Sequence, residues 1–390
     1  MTAFGAIGEN PMSLVMLALA LILLYLGISK RFEPLLLVPI AFGVLLANFP
    51  GGNMAVTPST EIIEHMTILE IAKEHGIMNM LYYFLIKTGL LPPLIFMGVG
   101  AMTDFGPMLR NLKLAFFGAA AQVGIFTVLI SAVALGFSLK EAAALGIIGG
   151  ADGPTAIYTA IKLAPHLLGP IAIAAYSYMA LVPVIIPLVV KFTVTEKELK
   201  INMKEQDKLY PSKTKIKDLN RLKIIFPILL CAIVSILVPS SVPLVGMLLF
   251  GNLIKEIGSD TNRLMVAASE TIMNAATIFL GLTVGATMTA ATFLDKTTLL
   301  IILGGFIAFA ISIFGGIMAV KLHNVFAKKK INPLIGATGL SAVPMASRVA
   351  NDIALKYDSK NHLLQYAMSS NISGVIGSAV AAGVLISFLS

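Results

Sequence analysis

The sequence predicts an all-α polytopic membrane protein made of two inverted-topology repeats, each with about five spanning helices plus a broken or re-entrant helix. Three observations predict this. Of 390 residues, 57% are hydrophobic and only 12% charged, against roughly a quarter charged in soluble domains. The apolar residues gather into runs long enough to cross hydrocarbon, separated by short basic loops. Two Gly/Pro-rich segments of related sequence, GADGPTA (150–156) and GLSAVPMA (339–346), interrupt the pattern at corresponding places in the two halves.

Spanning a bilayer takes about 20 apolar residues. The N-terminal stretch MTAFGAIGENP has no Lys or Arg before the first apolar run. A cleaved leader needs a basic start, so 12–28 is expected to be a retained span with the N-terminus outside. Spans at 34–49, 91–109, 114–137 and 168–190 complete a first repeat over 1–190. Residues near 60–75 suggest an external interfacial helix, because Ile62, Ile63, Met66 and Leu69 share one helical face and Thr60 suits its cap. Residues 191–223 hold ten Lys/Arg against five Asp/Glu. In a membrane chain such a block sets orientation and marks a cytoplasmic linker; it is not read as a nucleic-acid site. A second repeat over 224–390 holds spans at 224–239, 243–257, 264–294, 297–320 and 362–388.

Segments 140–163 and 332–354 centre on the Gly/Pro clusters and read as re-entrant. With Lys30/Arg31, Arg110/Lys113, Lys255/Arg263 and Lys328–Lys330 all on the cytoplasmic side, the halves acquire one plan in opposite orientations, and the C-terminus falls outside. A second internal match supports the repeat: IFMGVGAMTDFGPML (95–109) resembles IFLGLTVGATMTAATFL (278–294). Inverted repeats with paired broken helices are transporter architecture, with binding sites at the breaks.

Asp152 is the sharpest residue. An aspartate at mid-bilayer costs roughly 2.5 to 3.5 kcal/mol on insertion scales. Gly149, Gly150, Gly153 and Pro154 around it free backbone carbonyls, and Thr155 adds a hydroxyl. Together these make a hard-oxygen setting for an alkali cation or a proton site. The plainer alternative is an outer-surface loop in which Asp152 merely caps the helix starting at Pro154. In the second break, Asn332 and Gly336 are one turn apart, and Ser341 and Arg348 are seven residues apart, a spacing that shares a face if the helix resumes between them. Ser341 suits cation ligation or proton relay. Arg348 suits an anionic carboxylate, unless it snorkels to the interface or pairs with Asp352.

Tyr176 and Tyr178 follow the first break, where a hydroxyl carries protons, binds an ion or simply packs. Asn371 holds the matching place after the second break, and a buried Asn needs partners. Gly374, Gly377, Ser370 and Ser378 beside it suit close helix packing. Asp104 and Glu270 are expected to be structural. The lone Cys231 rules out an intrachain disulfide and Cys-based metal sites, and the five histidines form no HExxH or cluster. No Walker motif occurs, so ATP is not expected to drive the protein directly.

GGADGPTAIYTAIKLAP with NPLIGATGLSAVPMASRVAN resembles the beta subunit of the sodium-pumping biotin-dependent decarboxylases, which act on oxaloacetate, methylmalonyl-CoA or glutaconyl-CoA. The likeness runs through AYSYMALVP and NISGVIGSAVAAG to cover essentially the whole chain. It implies a subunit of the bacterial cytoplasmic membrane that receives carboxybiotin, releases CO2, consumes a proton and exports Na+. It implies that Asp152 is a Na+ ligand with Asn371 nearby. Asn332, Gly336, Ser341 and Arg348 would serve the opposite half of the pathway, with Arg348 and Asn332 toward carboxybiotin, and Tyr178 would act in coupling. INMKEQ (201–206) is not a biotinylation signature. The cofactor is therefore expected on a separate biotin carrier protein. A carboxyltransferase alpha subunit, a small single-span gamma or delta subunit and further copies of the chain complete the implied assembly. Two rivals share the architecture or the location: a stand-alone Na+-coupled organic-anion symporter, and a scaffold that anchors a complex without transport.

Overall fold

A computed structural model describes residues 11–31, 34–57, 63, 65–211, 218–342 and 344–390. All regular secondary structure among them is helical. Among the described residues, six helices are long and apolar enough to cross a membrane, and up to eight if each of two bent pairs is one span. The chain is an all-α polytopic membrane protein.

The first half comprises α1 (Met12–Ile28), α2 (Pro34–Asn48), α3 (Ile68–His75), α4 (Ile77–Ile86), α5 (Leu91–Met102), α6 (Leu112–Ala134), α7 (Leu139–Gly146), α8 (Gly153–Leu163) and α9 (Leu168–Thr193). The second comprises α10 (Leu219–Leu237), α11 (Val242–Ile257), α12 (Ser259–Ala286), α13 (Lys296–Phe326), α14 (Leu334–Ala337), α15 (Met345–Tyr357) and α16 (Leu364–Leu389). Helix α10 turns Ile225, Ile228, Leu229, Ile233, Ile236 and Leu237 outward, a lipid-facing surface rather than a core face.

In the stretch expected to be interfacial, Ile63 and His65 are helical and a helix over Ile68–His75 is opened by a capping box of Thr67 and Glu70. Ile63 and Ile71 are buried and Leu69 is exposed, while Thr60 and Ile62 lie outside the described residues. Two elements differ from their sequence expectation. The expected span 91–109 stops at Met102, where Asp104 accepts the Gly106 N–H at 2.8 Å and begins a separate turn. Its missing length comes from α4, which joins α5 at 67° through Gly89 in the left-handed region (φ 75°). Helix α9 bends by 66° between Met179 and Leu181; Pro183, four residues after Met179, has no N–H to close that turn.

Helices from the two halves interleave. Helix α2 packs on α12 and α5 on α11; α6 packs on α16 and α9 on α13. Glycines make these crossings close. A Cβ at Gly43 would strike the Leu282 carbonyl, and one at Gly251 the Met97 carbonyl. Conversely, a Cβ at Gly285 would strike the Ile40 carbonyl, and one at Gly100 the Leu248 carbonyl. Small residues at membrane helix contacts let backbones approach where lipid gives no hydrophobic drive. Asp104 is structural as expected: it pairs with Lys223 of α10 at 2.5 Å, and Lys223 also reaches Glu256 at 3.5 Å. Glu270 is exposed on α12.

Candidate functional site

The first break is built by a tight sequence of signals. Ser138 and Glu141 box the start of α7. The helix tightens into a turn over Ile147–Gly150, and Ala151 takes a left-handed conformation (φ 53°). That conformation costs a residue with a Cβ roughly 1–2 kcal/mol, and such strain gathers at functional sites. The reversal points the Asp152 side chain back over α8. Its Oδ1 accepts the Thr155 N–H at 3.1 Å, so it does cap the helix. It is nonetheless only 3% exposed, which removes the outer-surface alternative.

The second carboxylate oxygen reaches the other half. Asp152 Oδ2 accepts hydrogen bonds from Ser341 Oγ at 2.7 Å and Ser378 Oγ at 2.6 Å. The Ser341 N–H also donates to the Gly150 carbonyl at 3.1 Å, so the two breaks touch directly. All the described donors to Asp152 are neutral, and no ion pair reaches it among the described residues. A buried carboxylate with no countercharge is costly. A bound cation or a proton would neutralise it.

Carbonyls of both breaks accept hydrogen bonds. Gly149 O accepts from Ser312 Oγ at 2.5 Å and Gly150 O from Ser341. In the second break, Asn371 Nδ2 donates to the Thr338 and Leu340 carbonyls, and Gln122 Nε2 donates to the Gly339 carbonyl at 3.4 Å. Each of these five carbonyls has a donor and keeps a second lone pair. Among the buried side-chain oxygens with no protein partner are Gln122 Oε1, Thr155 Oγ1, Asn371 Oδ1, Ser370 Oγ and the hydroxyls of Tyr176 and Tyr178.

The sequence-selected residues separate into groups. Asp152, Ser341 and Asn371 meet at the junction of the breaks. Tyr176 lies against it, since a Cβ on Gly153 would fall 2.6–2.7 Å from its ring. Tyr178 packs on Gly305, which Ile148 also flanks, and edge-on to Phe306, with ring centroids 6.3 Å apart. Gly336 is packed against the Gly316 carbonyl of α13. Arg348 is exposed on the first turns of α15, and no ion pair joins it to Asp352 among the described residues. Helix α15 resumes only at Met345, so the seven-residue spacing from Ser341 does not create a shared helical face.

Asn332 lies elsewhere. Its Nδ2 donates to the Leu199 and Ile201 carbonyls at 3.0 Å each, and its Oδ1 accepts the Leu334 N–H at 3.0 Å. Asn361 donates to the same two carbonyls, at 3.3 and 3.0 Å. They fasten the 196–210 part of the basic linker to the second half, assisted by Lys329–Asp207 at 2.5 Å and Tyr366–Asp207 at 2.6 Å. The linker, which has no recognisable motif, is a folded strap there. Removing both amides (Asn332→Ala with Asn361→Ala) strands two carbonyls at about 1–3 kcal/mol each. Limited proteolysis should then cut within 196–211 far faster than in the wild type.

Gln122 and Ser378 were not singled out as ligands from sequence. Ser378 reads as a small packing residue until Asp152 is opposite it. Gln122 carried a signal, a lone amide inside AAAQVGIF, where a polar side chain at membrane depth calls for partners.

The chain matches the family described as the Na+-transporting oxaloacetate decarboxylase beta subunit over residues 12–389. It is 49% identical over 394 residues to the methylmalonyl-CoA decarboxylase subunit beta of Propionigenium modestum, covering 98% of this chain and 96% of that one. It is 47% identical over 377 residues to the methylmalonyl-CoA decarboxylase subunit beta of Veillonella parvula (96% and 93% covered). To the oxaloacetate decarboxylase beta chain of Klebsiella pneumoniae it is 45% identical over 419 residues (96% and 94% covered). A chain with two facing broken helices, matched along nearly its full length, thus belongs to the Na+-transporting oxaloacetate decarboxylase beta subunit family.

Proposed function

We propose that this chain is the membrane subunit of a multi-subunit decarboxylase, that it decarboxylates carboxybiotin brought by a partner carrier, and that Asp152 couples this step to Na+ export. The observation that carries the reading is the position of Asp152: a buried carboxylate at the contact of two broken helices, donated to only by neutral groups and bordered by unpartnered oxygens.

One carboxylate with no countercharge holds a Na+ or a proton, and the two exclude each other. That exclusion supplies the exchange. When Na+ enters, the Ser341 and Ser378 hydroxyls rotate from donating to Asp152 to presenting lone pairs to the cation. When a proton arrives, Asp152 becomes neutral and Na+ leaves. Moving one charge against 100 mV costs about 2.3 kcal/mol, so release must be tied to an exergonic step. Decarboxylation consumes a proton and provides that step. Arg348, exposed on α15, is our candidate for meeting the carboxylate of carboxybiotin. The buried, unpartnered hydroxyls of Tyr176 and Tyr178 are the candidate proton carriers.

The proposal includes an inverted repeat, supported by the reciprocal glycine contacts. Gly100 and Gly285 are 185 residues apart, as are the carbonyls of Met97 and Leu282 that oppose the other two glycines. Gly43 and Gly251 are 208 apart, as are Ile40 and Leu248. Halves related in this way can rock about the Asp152–Ser341 contact and open the site to either side.

The test is Na+ uptake into inside-out proteoliposomes holding the purified membrane complex, with carboxylated biotin carrier added outside and CO2 followed in parallel. Uptake should start with the carrier and scale with CO2. Carrier-independent Na+ movement that tracks an added organic anion would instead identify a symporter.

A further inference from the structure

We propose that Gln122 is a direct ligand of the transported cation and sets its selectivity. The inference rests on the reading of Asp152 as the cation's carboxylate and extends it to a residue on α6.

The amide has only one chemically sensible orientation. Three carbonyl oxygens surround its nitrogen: Gly118 at 3.2 Å, Gly339 at 3.4 Å and Gly374 at 3.3 Å. An amide oxygen in that position would face three acceptors and no donor. Nε2 is thereby pinned by α6, the second break and α16 together, and Oε1 must point away from them. Oε1 is buried and has no protein partner. An orphaned acceptor of this kind costs about 1–3 kcal/mol, a cost that a bound cation would offset.

Its direction is toward the Asp152 junction. A Cβ built on Gly150 would lie 3.5 Å from Gln122 Oε1 and 3.2 Å from Ser378 Cβ. Ser378 in turn donates to Asp152. The oxygen therefore lies beside Gly150 together with Ser378, one of the carboxylate's own donors, and with Ile125 Cδ1, which a Cβ there would meet at 3.1 Å.

Asn371 repeats the arrangement. Its nitrogen caps the Thr338 and Leu340 carbonyls, and its Oδ1 is buried without a partner. Two amides thus cover three consecutive carbonyls of the second break, Thr338, Gly339 and Leu340, and present two amide oxygens in exchange. A break carbonyl moves with its loop, whereas an amide oxygen pinned at its nitrogen stays in place. Neutral, hard oxygens held at fixed positions replace the water lost by a small cation and discriminate by size. With Asp152 supplying the single negative charge, a monovalent ion leaves the site neutral.

The experiment uses the purified membrane complex and measures the half-saturating concentrations of Na+ and of Li+ for decarboxylation, together with the shift in thermal unfolding each ion produces. Gln122→Met keeps the length and removes the oxygen. It should raise half-saturating Na+ at least 10-fold while saturating Na+ restores most of the maximal rate. Gln122→Asn keeps an amide but withdraws its oxygen, and should weaken Li+ more than Na+, changing their ratio. If either variant loses only stability or maximal rate, with Na+ and Li+ half-saturation and their ratio unchanged, Gln122 is a structural brace and the proposal fails. Asp152→Asn run alongside separates the two ideas. If it abolishes the Na+ response while both Gln122 variants leave it intact, only the Gln122 assignment falls; if it also leaves the response intact, the cation reading of the site falls.

Discussion

Asp152→Asn should abolish Na+ transport and carboxybiotin decarboxylation together while leaving the subunit folded. Asparagine is nearly isosteric, and its Oδ1 can still cap Thr155 as the carboxylate does at 3.1 Å. The Ser341 and Ser378 hydroxyls can rotate to accept from the new amide in place of donating. What disappears is the charge. Removing one partner of a buried ion pair costs on the order of 3–5 kcal/mol, which corresponds to cation binding weaker by roughly 10²-fold or more. The same substitution removes the group that takes a proton in exchange. Parallel assays of Na+ uptake and CO2 release check this: retention of full-rate decarboxylation with transport lost would mean that the carboxylate serves the ion path alone.

The second large effect concerns the close helix crossings. Gly100→Ala and Gly285→Ala should each cost about 3 kcal/mol or more, the upper end of overpacking penalties. In both, the new methyl meets a backbone carbonyl, of Leu248 or Ile40, which cannot swing aside as a side chain can. Gly304→Ala is the control, because nothing lies within 4 Å of a Cβ there. Thermal unfolding and the yield of assembled complex are the readouts. Similar losses at Gly100 and Gly285 are expected if the positions are equivalent in an inverted repeat. A Gly100→Ala protein as stable as Gly304→Ala would break the α5–α11 packing described above.

Much of this was legible in the sequence because the bilayer imposes it. The all-helical, many-span architecture follows from long apolar runs, and Asp152 stands out because a charge at membrane depth is expensive. Ser341 could be paired with it because GADGPTA and GLSAVPMA align the two residues, and the structure brings their side chains to 2.7 Å. The rest depended on what faces what. Whether Ser378 packs or ligates is undetermined until the opposing residue is known. Asn332, expected at the ion or carboxybiotin site, spends its amide on the strap carbonyls of Leu199 and Ile201. Nothing in a single sequence reports that those carbonyls are close to it. The capping box at Thr67 is legible as a threonine followed three residues later by a glutamate. Helix α4 escaped the span count because a bent pair divides the required length between two segments, each too short to register alone.

The central claim is that Na+ is held by Asp152 at the contact of the two breaks. The most direct measurement is the thermal unfolding of the purified complex as Na+ replaces choline at constant ionic strength, for wild type and for Asp152→Asn. A ligand at 100 times its dissociation constant stabilises the state that binds it by about 2.7 kcal/mol. The wild-type midpoint should therefore climb with Na+, and the Asp152→Asn midpoint should stay flat. A variant whose midpoint climbs with Na+ along the wild-type curve would place the ion somewhere other than Asp152.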